Sequence, residues 1–454
     1  MVELFSVELY NKRVLVVGLG KSGVAAAMFL KLRGARVTVS DAKPRELFGS
    51  EIPQLLDAGI AVEAGGHGER TFREQDLIVV SPGVPVDAPM LQQARALGEP
   101  VIGEIELAAR FLSGPIFAIT GSNGKTTTTT LVGQILTAAG IPVLVGGNIG
   151  TPAISFVEHA TAETRIVLEV SSFQLETIQA FHPRIAVILN ITPDHLDRHG
   201  NFETYVNAKA RIFENQHAHD FTVLNADDAT CMALASRTPA QVYWFSRLRE
   251  VERGAFLRAG KIVFRDAAGE SEIIAVDAIR LKGAHNVENV LAAVCTGRLA
   301  GCSAEPIARA VAGFNAVEHR LEFVATIAGV DYYNDSKATN VDATIKALES
   351  FPSGVHLILG GKDKGSDYRV LNHLLRARVK RVYTIGVAAE KIEGHIAGAA
   401  EVVRAGTLQN AVTLAAAAAQ PGDVVLLAPA CASFDQFQSY EHRGRAFVEA
   451  VGKL

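Results

Sequence analysis

Lysine, threonine and glycine stand at phosphate-binding spacing in the stretch IFAITGSNGKTTTTT, residues 116–130. An apolar run ends at Thr120, a polar segment continues to Gly124, and a helical pattern follows. The backbone N–H groups of such a loop and the N-terminus of the next helix can hold a phosphate chain. Lys125 can reach the terminal phosphates, and the Thr126 hydroxyl can bind Mg²⁺. The pattern therefore predicts an ATP-type phosphate site.

This stretch departs from the strict P-loop pattern, which requires a glycine at the position of Ile119. The loop is therefore a variant of that motif. The alternative is a plain Gly-Lys-Thr turn between a strand and a helix, without a ligand.

A second glycine loop, GLGKSG, lies near the N-terminus between the β-branched run 13–17 and the helical stretch 24–33. The next strand, 35–40, ends at Asp41, so loop and acid have the spacing of a dinucleotide-binding βαβ unit. This spacing does not by itself identify a nicotinamide cofactor, because it indicates only which chemical groups the loop and the acid can hold. A diphosphate can approach the loop, and Asp41 can accept hydrogen bonds from a ribose or a nearby donor. A UDP-sugar offers the same groups, and a tight turn without a ligand is the alternative.

Three apolar runs in the central part of the chain end in polar loops: 141–145 before Asn148, 165–168 before Glu169, and 185–189 before His195. Ligands bind at the carboxyl ends of strands in open α/β sheets, so we expect Thr126, Glu169 and His195 to converge on one site. A carboxylate and a hydroxyl are hard oxygen ligands that suit Mg²⁺. A structural histidine is the alternative for His195.

Lys209 stands on the apolar side of a helical pattern, FETYVNAKARIF, at i+4 from Tyr205 and i−3 from Ile212. A lysine that faces a core is rare unless it is paired, and burial lowers its pKa. A neutral amine can react with CO₂ to give a carbamate, which is an anion able to bind a metal. The pattern alone favours the other interpretation, a lysine whose stem packs while its head reaches water.

The composition is that of a folded protein: 454 residues, 48% hydrophobic and 20% charged. This length predicts roughly two to four domains. A net charge of −4 gives no electrostatic case for nucleic-acid binding. The four cysteines lack metal-ligand spacing and suit a reducing compartment. No window reaches the apolar length of a membrane span, and the N-terminus lacks a signal-peptide core, so we expect a cytoplasmic protein.

Strand and helix patterns alternate along the chain and predict an α/β protein of three domains. A Rossmann-like domain is expected in residues 1–105. A central P-loop-type mononucleotide-binding domain, with a parallel sheet and added β strands, is expected in 106–314. A second Rossmann-like domain is expected in 315–454, where Arg320 and Asp335 can complete the nucleotide site from across the domain boundary.

A set of segments in this order resembles the Mur ligase family: TGSNGKTT, EVSSFQLE, NITPDHLDRH, the YxxAKxRIF helix, LKGAHNVEN, EHRLE, NDSKATN and APACASFDQF. The resemblance spans the whole chain, and NDSKATN and ACASFDQF resemble the D-glutamate-adding branch in particular. It implies a cytoplasmic, monomeric ligase of peptidoglycan precursor synthesis. Such an enzyme uses ATP and two Mg²⁺ ions to join D-glutamate to UDP-N-acetylmuramoyl-L-alanine through an acyl phosphate, giving ADP and phosphate.

Carried over residue by residue, the resemblance implies five groups of site residues. The catalytic residues are Lys125, Glu169, His195 and Lys209. The metal ligands are Thr126, Glu169, His195 and a carbamylated Lys209, which reverses the interpretation of Lys209 from pattern alone. The ATP site comprises Gly121, Ser122, Asn123, Gly124, Lys125, Thr126, Thr127, Asn225, Arg320 and Asp335. The UDP-sugar site comprises Gly20, Lys21, Ser22, Asp41, Ala42, Ser81, Gly83 and Asn148. The D-glutamate site comprises Thr339, Lys364, Ser433, Phe434 and Tyr440.

Two departures from the family pattern involve three residues. Ala42 and Lys43 follow Asp41 where a hydroxyl residue and an arginine are usual, and Tyr440 stands where phenylalanine is usual. Three other functions stay open at this point: the same chemistry with another amino-acid acceptor, an NAD-dependent nucleotide-sugar oxidoreductase built on the N-terminal glycine loop, and a nucleotide-gated binding protein without ligase chemistry.

Overall fold

The structure is a computed structural model that describes residues 8–281, 283–315 and 317–454. Lys282, in the LKGAHNVEN segment, lies outside the described residues. The chain forms two compact units. The first extends to Ile191 and includes Asn201–Ile274 and Leu291–Ala310, and the second comprises Thr192–Gly200, Ala275–Val290 and Val311–Leu454.

The N-terminal part of the first unit holds a five-stranded parallel sheet. Its strands are β1 (Arg13–Val17), β2 (Arg36–Asp41), β3 (Ala61–Ala64), β4 (Leu77–Val80) and β5 (Val101–Gly103), and its helices are α1 (Lys21–Leu32), α2 (Glu51–Asp57), α3 (Pro89–Ala96) and α4 (Glu104–Ala109). The strand order is β3-β2-β1-β4-β5. The order reverses between β1 and β4, so the glycine loop that follows β1 lies where open α/β sheets bind ligands.

The central part of the chain forms a nine-stranded sheet. Its strands are β6 (Ile116–Thr120), β7 (Val143–Gly147), β8 (Arg165–Glu169), β9 (Ile185–Ile188), β10 (Phe221–Asn225), β11 (Gln241–Ser246), β12 (Gly254–Arg258), β13 (Lys261–Asp266) and β14 (Gly269–Ala275). The helices along this stretch are α5 (Lys125–Ala138), α6 (Ser172–Leu175), α7 (Leu196–His199), α8 (Phe202–Ala210), α9 (Ala229–Leu234), α10 (Ala284–Leu299) and α11 (Ala304–Gly313). The sheet order is β14-β13-β12-β11-β10-β9-β6-β8-β7. Pairing is parallel from β7 to β12, and β13 runs antiparallel to β12.

The second unit holds a six-stranded sheet. Its strands are β15 (Glu322–Ile327), β16 (Val330–Asn334), β17 (Val355–Gly360), β18 (Val379–Ile385), β19 (Glu401–Gly406) and β20 (Val424–Leu427), and its helices are α12 (Val341–Glu349), α13 (Asn372–Arg378), α14 (Ala389–His395), α15 (Leu408–Ala418) and α16 (Tyr440–Val451). The order is β15-β16-β20-β17-β18-β19, and only the edge strand β15 is antiparallel to its neighbour. Because β16, β20 and β17 are adjacent and parallel, the loops that follow them share one edge of the sheet.

The predicted α/β class, with parallel-sheet cores, is confirmed. The sequence pattern missed four strands, β3, β5, β12 and β19. Two of them, β3 and β19, are edge strands with few buried residues, so they lack the apolar run that marks a central strand. The domain bounds at 105 and 314 stay a prediction. Among the described residues, no helix is both long enough and apolar enough to cross a membrane.

Candidate active site

The phosphate loop lies between β6 and the N-terminus of α5. Gly121 and Gly124 have positive φ values of 153° and 86°, which residues other than glycine rarely adopt. The loop is held from the next strand end, because the Ser122 N–H donates to the Asn190 carbonyl at 2.9 Å and the Asn123 N–H donates to Asn190 Oδ1 at 2.9 Å. The loop is therefore fixed by the end of a neighbouring strand, and Gly124, the residue before α5, provides no side-chain cap for the N-terminus of that helix.

Two lysines converge on the Gly121 carbonyl. Lys125 Nζ donates to this oxygen at 2.8 Å and to the Ser122 carbonyl at 2.8 Å, so it folds back over the loop. Lys209 Nζ donates to the same Gly121 oxygen at 2.9 Å and lies 4.7 Å from the centre of the Tyr205 ring. Two lysine head groups thus meet at one carbonyl of the phosphate loop.

Lys209 is buried, with only 1% of its surface exposed. Its head group is held by the Gly121 carbonyl and the Tyr205 ring, and Tyr205 OH lies 3.0 Å from Ser122 Oγ. The interpretation in which the head of Lys209 reaches water is therefore wrong. Helical spacing identifies the face on which a lysine lies, but it does not reveal whether another part of the chain covers that face.

Thr126, Glu169 and Asn148 form one polar cluster behind the loop. Thr126 Oγ1 donates to Glu169 Oε2 at 2.7 Å, and Asn148 Nδ2 donates to Glu169 Oε1 at 2.9 Å. The Asn148 N–H also donates to the Glu169 carbonyl at 2.8 Å. Glu169 is 1% exposed, and these donors hold its buried carboxylate in place. The hydroxyl and the carboxylate are the oxygen types that Mg²⁺ prefers.

Two other residues predicted for the ATP site, Thr127 and Asn225, are buried within the fold. Thr127 is buried in α5. The Asn225 amide is buried and used within the fold, since Nδ2 donates to the Leu189 carbonyl at 3.0 Å and Oδ1 accepts the Asp227 N–H at 2.8 Å. Sequence reasoning missed Asn190 and Tyr205 as loop supports, although Asn190 is the first polar residue after the apolar run 185–189.

His195 belongs to the second unit and is the N-cap residue before α7, with a left-handed φ of 53°. Its Nε2 atom lies 3.6 Å from Asp194 Oδ2. Asp194 also accepts hydrogen bonds from the His195 N–H at 2.9 Å and from Asn340 Nδ2 at 3.0 Å, and it lies 4.0 Å from Lys364 Nζ. Asp194 therefore connects the predicted metal ligand His195 with the predicted acceptor residue Lys364.

Arg320 and Asp335 lie beside each other in the second unit. Asp335 Oδ1 accepts the Leu321 N–H at 3.2 Å. Burial raises the pKa of Asp335 to about 6, and the charge of Arg320 opposes that rise. Arg320 borders a cavity of about 400 Å³, which the residues Arg280, Leu281, Asn286, Asn315, Leu321, Glu322, Phe323 and Tyr333 also line. This cavity is a candidate binding place for part of a nucleotide.

The N-terminal glycine loop is tied to Asp41 by backbone donors. Asp41 Oδ2 accepts the Leu19 N–H at 2.7 Å, and Oδ1 accepts the Lys43 N–H at 2.8 Å. Ser81 Oγ donates to the Gly18 carbonyl at 3.1 Å. The remaining predicted residues here are Gly20, Lys21, Ala42 and Gly83, which are exposed, and Ser22, which is half-buried. The loop is thus pre-shaped, with its exposed rim available to a ligand.

The predicted acceptor residues stand after three neighbouring strands and at the start of α16. Thr339 follows β16, Lys364 follows β17, Ser433 and Phe434 follow β20, and Tyr440 is the first residue of α16. The parallel order of β16, β20 and β17 brings the three loops to one sheet edge. Ser433 is 2% exposed whereas Phe434 is 68% exposed. Lys337 Nζ lies 3.7 Å from the centre of the Tyr440 ring, which adds a cation that the sequence did not single out.

Three family models match the chain in succession. Residues 12–103 match the Mur ligase MurD-like N-terminal domain, 119–297 match the Mur ligase middle domain, and 319–431 match the Mur ligase glutamate ligase domain.

Similar full-length proteins share the name UDP-N-acetylmuramoylalanine–D-glutamate ligase. The protein from Koribacter versatilis is 67% identical, over 98% of this chain and 98% of its own length. The protein from Acidobacterium capsulatum is 63% identical, over 98% of this chain and 97% of its own length.

Solved structures share the fold at low identity. A pseudomurein peptide ligase type C from Methanothermus fervidus is 20% identical with a TM-score of 0.63, over 98% of this chain and 100% of that chain. MurF ligase from Thermotoga maritima in complex with ADP is 17% identical with a TM-score of 0.62, over 100% of this chain and 99% of that chain.

Proposed function

This chain belongs to the Mur ligase family, and from that premise we propose that it is an ATP-dependent ligase that joins D-glutamate to UDP-N-acetylmuramoyl-L-alanine. The observation that carries this proposal is the identity of 67% with a D-glutamate ligase along 98% of the chain. The reaction is a step of peptidoglycan precursor synthesis and releases ADP and phosphate.

The phosphate loop is proposed to bind the ATP phosphates. Its support is the N-terminus of α5, which has no side-chain cap at Gly124, together with Lys125 at the start of that helix. The proposed ATP residues are Gly121, Ser122, Asn123, Gly124, Lys125, Thr126, Thr127, Asn225, Arg320 and Asp335. Phosphoryl transfer depends mainly on positioning and charge neutralisation, and these residues supply both.

Thr126 and Glu169 fit a magnesium ion by the chemistry of their oxygens. Within the described ranges, no group of three or more His, Cys, Asp or Glu side chains is arranged to hold a metal. Mg²⁺ commonly uses one or two carboxylates and completes its shell with substrate phosphates and water, which matches a site with the single acid Glu169. When bound, the ion supplies neutralisation of phosphate charge. A second ion is proposed to use His195 and Lys209.

A carbamate on Lys209 is part of the proposal. Carbamylation replaces the ammonium by a nitrogen that still carries one N–H, so the hydrogen bond to the Gly121 carbonyl can persist. It also adds a carboxylate-like group that can bind a metal. Burial supports this modification, because it disfavours the charged ammonium and so favours the neutral amine that reacts with CO₂.

The chemistry then proceeds in two steps. The carboxylate of the alanyl group attacks the γ-phosphorus of ATP, the bond to the bridging oxygen breaks, and ADP leaves. The amine of D-glutamate next attacks the acyl phosphate carbon, and phosphate leaves as the amide forms and the amine loses its proton. Lys125, which lies at the phosphate loop, is proposed to stabilise the charge that develops on the transferred phosphate and on the tetrahedral intermediate.

The proposed acceptor site uses polar loops of the second unit. Lys364 and Lys337 are cations that suit the two carboxylates of glutamate, and the Ser433 hydroxyl can donate a hydrogen bond. Thr339, Phe434 and Tyr440 are proposed to complete the site, with the tyrosine ring beside Lys337.

The UDP-sugar is proposed to bind the N-terminal glycine loop through Gly20, Lys21, Ser22, Asp41, Ala42, Ser81, Gly83 and Asn148. We further propose domain bounds of 1–105, 106–314 and 315–454, a cytoplasmic location, a monomer, and no nucleic-acid or membrane partner. The alternative of an NAD-dependent oxidoreductase is set aside, because the residues of that glycine loop match a Mur ligase domain.

A phosphate-release assay tests the function. Purified protein, ATP, Mg²⁺ and UDP-N-acetylmuramoyl-L-alanine are expected to give phosphate when D-glutamate is present, and far less with L-glutamate or other amino acids. Lys125→Ala is the control for phosphate released by contaminants. Equal rates with D- and L-glutamate would contradict the acceptor assignment, and ATP binding without ADP formation would favour a regulatory binding protein.

A further inference from the structure

Arg443, in α16, is the largest side chain among those fully buried in the described part of the chain. Its Nε donates to Ser336 Oγ at 2.9 Å and its Nη2 to the Ser336 carbonyl at 2.8 Å. Its Nη1 donates to the carbonyls of Cys431 at 3.1 Å and Ala432 at 3.4 Å. Burial lowers the pKa of Arg443 to about 10, so the group still carries its charge at neutral pH.

These contacts join two loops that bear proposed acceptor residues. Ser336 lies in the loop after β16, which leads to Thr339. Cys431 and Ala432 directly precede Ser433 and Phe434 in the loop after β20. One guanidinium therefore sets the distance between the two loops from behind the site.

A third loop and α16 are tied to the same arrangement. Ala432 and Lys362 exchange backbone hydrogen bonds of 2.8 and 3.1 Å, and Lys362 lies in the loop after β17 that carries Lys364. Ser336 Oγ donates to the Tyr440 carbonyl at 2.9 Å. All the segments that bear the proposed acceptor residues thus connect to Arg443 directly or through one further residue.

An arginine at this buried position differs from the alternatives, an apolar side chain or a lysine, in free-energy cost and in hydrogen-bonding geometry. A buried cation loses its hydration, so filling this space with an apolar side chain would be energetically simpler. A guanidinium instead offers several N–H groups in a rigid plane, and it can hold carbonyls of two loops at once, which the single ammonium of a lysine cannot do in the same way.

We propose that Arg443 is a positioning residue for the amino-acid acceptor, acting by holding the three acceptor-binding loops in register. This inference rests on the proposed function, in which these loops bind D-glutamate. Arg443 itself is not a catalytic residue, because it contacts the backbone and Ser336 and no group assigned to the substrate.

The test compares KM values for the three substrates in Arg443→Lys and in the milder Ser336→Ala. Arg443→Lys keeps the charge but loses the fork, and loss of hydrogen bonds to a charged group predicts a rise in KM for D-glutamate of about tenfold. Ser336→Ala is expected to raise the same KM by a smaller factor. The KM values for ATP and for the UDP-sugar are expected to stay within about twofold.

Arg378→Lys is the matched control. Arg378 also holds backbone carbonyls in this unit, those of Leu348 at 3.3 Å, Glu349 at 3.1 Å and Phe351, and none of these three described partners lies in a proposed acceptor loop. Its replacement is expected to lower the melting temperature without changing the KM for D-glutamate. If Arg443→Lys does not fold, Ser336→Ala decides the question alone.

The outcomes separate the two proposals. Absence of D-glutamate-dependent phosphate release by the unchanged protein would overturn the proposed function. Release by the unchanged protein with an unaltered KM for D-glutamate in the variants, or an equal rise in Arg378→Lys, would overturn the role of Arg443.

Discussion

Replacement of Glu104 by glutamine is expected to make stability less sensitive to pH. Glu104 is the first residue of α4 and is 2% exposed. Its Oε1 accepts the Ile154 N–H at 2.7 Å, and its Oε2 is buried with no hydrogen-bond partner within the described residues. Burial with one uncompensated oxygen raises the pKa of Glu104 from 4.5 to about 7.

The sign of the effect follows from which state holds the proton. Between pH 4.5 and about 7 the folded protein keeps a proton on Glu104 that the unfolded chain has released. The free energy of unfolding therefore falls as pH rises through this window, and the full penalty applies above it. At 1.36 kcal/mol per pH unit, the gap between 4.5 and about 7 corresponds to about 3 kcal/mol.

Glu104→Gln keeps a carbonyl oxygen for the Ile154 N–H and removes the titration. Its buried amide carries a constant cost at every pH, so the informative quantity is the difference in unfolding free energy between variant and wild type. This difference is expected to favour the variant by about 3 kcal/mol more at pH 8.5 than at pH 4. Urea unfolding followed through Trp244, the single tryptophan, measures it within the first unit.

Glu106→Gln is the matched control on the same helix. Glu106 is also buried, but its carboxylate accepts the N–H groups of Gln179, Ala180 and Phe181 and pairs with Arg110 at 2.8 Å. Loss of that anion is expected to destabilise the protein at neutral pH. Parallel stability curves for Glu104→Gln and wild type across pH 4 to 8.5 would refute the assignment of a raised pKa to Glu104.

Three further predictions concern helix residues at or beside the two glycine loops. Lys209→Ala is expected to lower kcat at least about hundredfold, and a short carboxylic acid is expected to restore part of the phosphate release; no rescue at any concentration would argue against a carbamate. Thr126→Val is expected to raise the Mg²⁺ concentration for half-maximal activity by about tenfold or more. Thr126→Ser, which keeps the hydroxyl, is the control, and an unchanged magnesium titration in Thr126→Val would argue against a role of Thr126 in metal binding. Gly23→Ala is expected to lower the free energy of unfolding by about 2 kcal/mol, because a Cβ there would lie 1.8 Å from the Gly18 carbonyl oxygen. The control is Gly20→Ala, whose Cβ would lie in open space, and equal melting temperatures for the two variants would contradict the prediction.

The phosphate loop was predictable because its chemistry is local. Gly121 and Gly124 adopt positive φ values within a few residues of Lys125, and the neighbouring apolar run forms a buried strand. The order of polar loops after successive strands also predicted that Thr126 and Glu169 meet at a sheet edge, since parallel strands bring their carboxyl ends together. Thr126 and Glu169 meet in this way, although they lie far apart in the chain. The convergence of His195 on the same site stays a prediction.

The depth of a side chain could not be predicted in the same way. Periodicity placed Lys209 on an apolar face, but its burial depends on the phosphate loop that covers it. Glu104 looks like an ordinary residue at the start of a helix, but burial in the folded protein raises its pKa, and the hydrogen bond from the Ile154 N–H offsets only part of that rise.

By itself, the sequence determined the glycine loops, the alternation of strands and helices, and the residue types that can bind phosphate, metal and an anionic acceptor, because these depend on neighbours along the chain. Tertiary structure alone decided that Lys209 is buried against Gly121, that Asp194 links His195 to Lys364, and that Arg443 connects the loop after β16 with the loop after β20. The physical reason is that burial and long-range hydrogen bonds arise only when sheet order brings distant segments into contact, and no local pattern specifies that order.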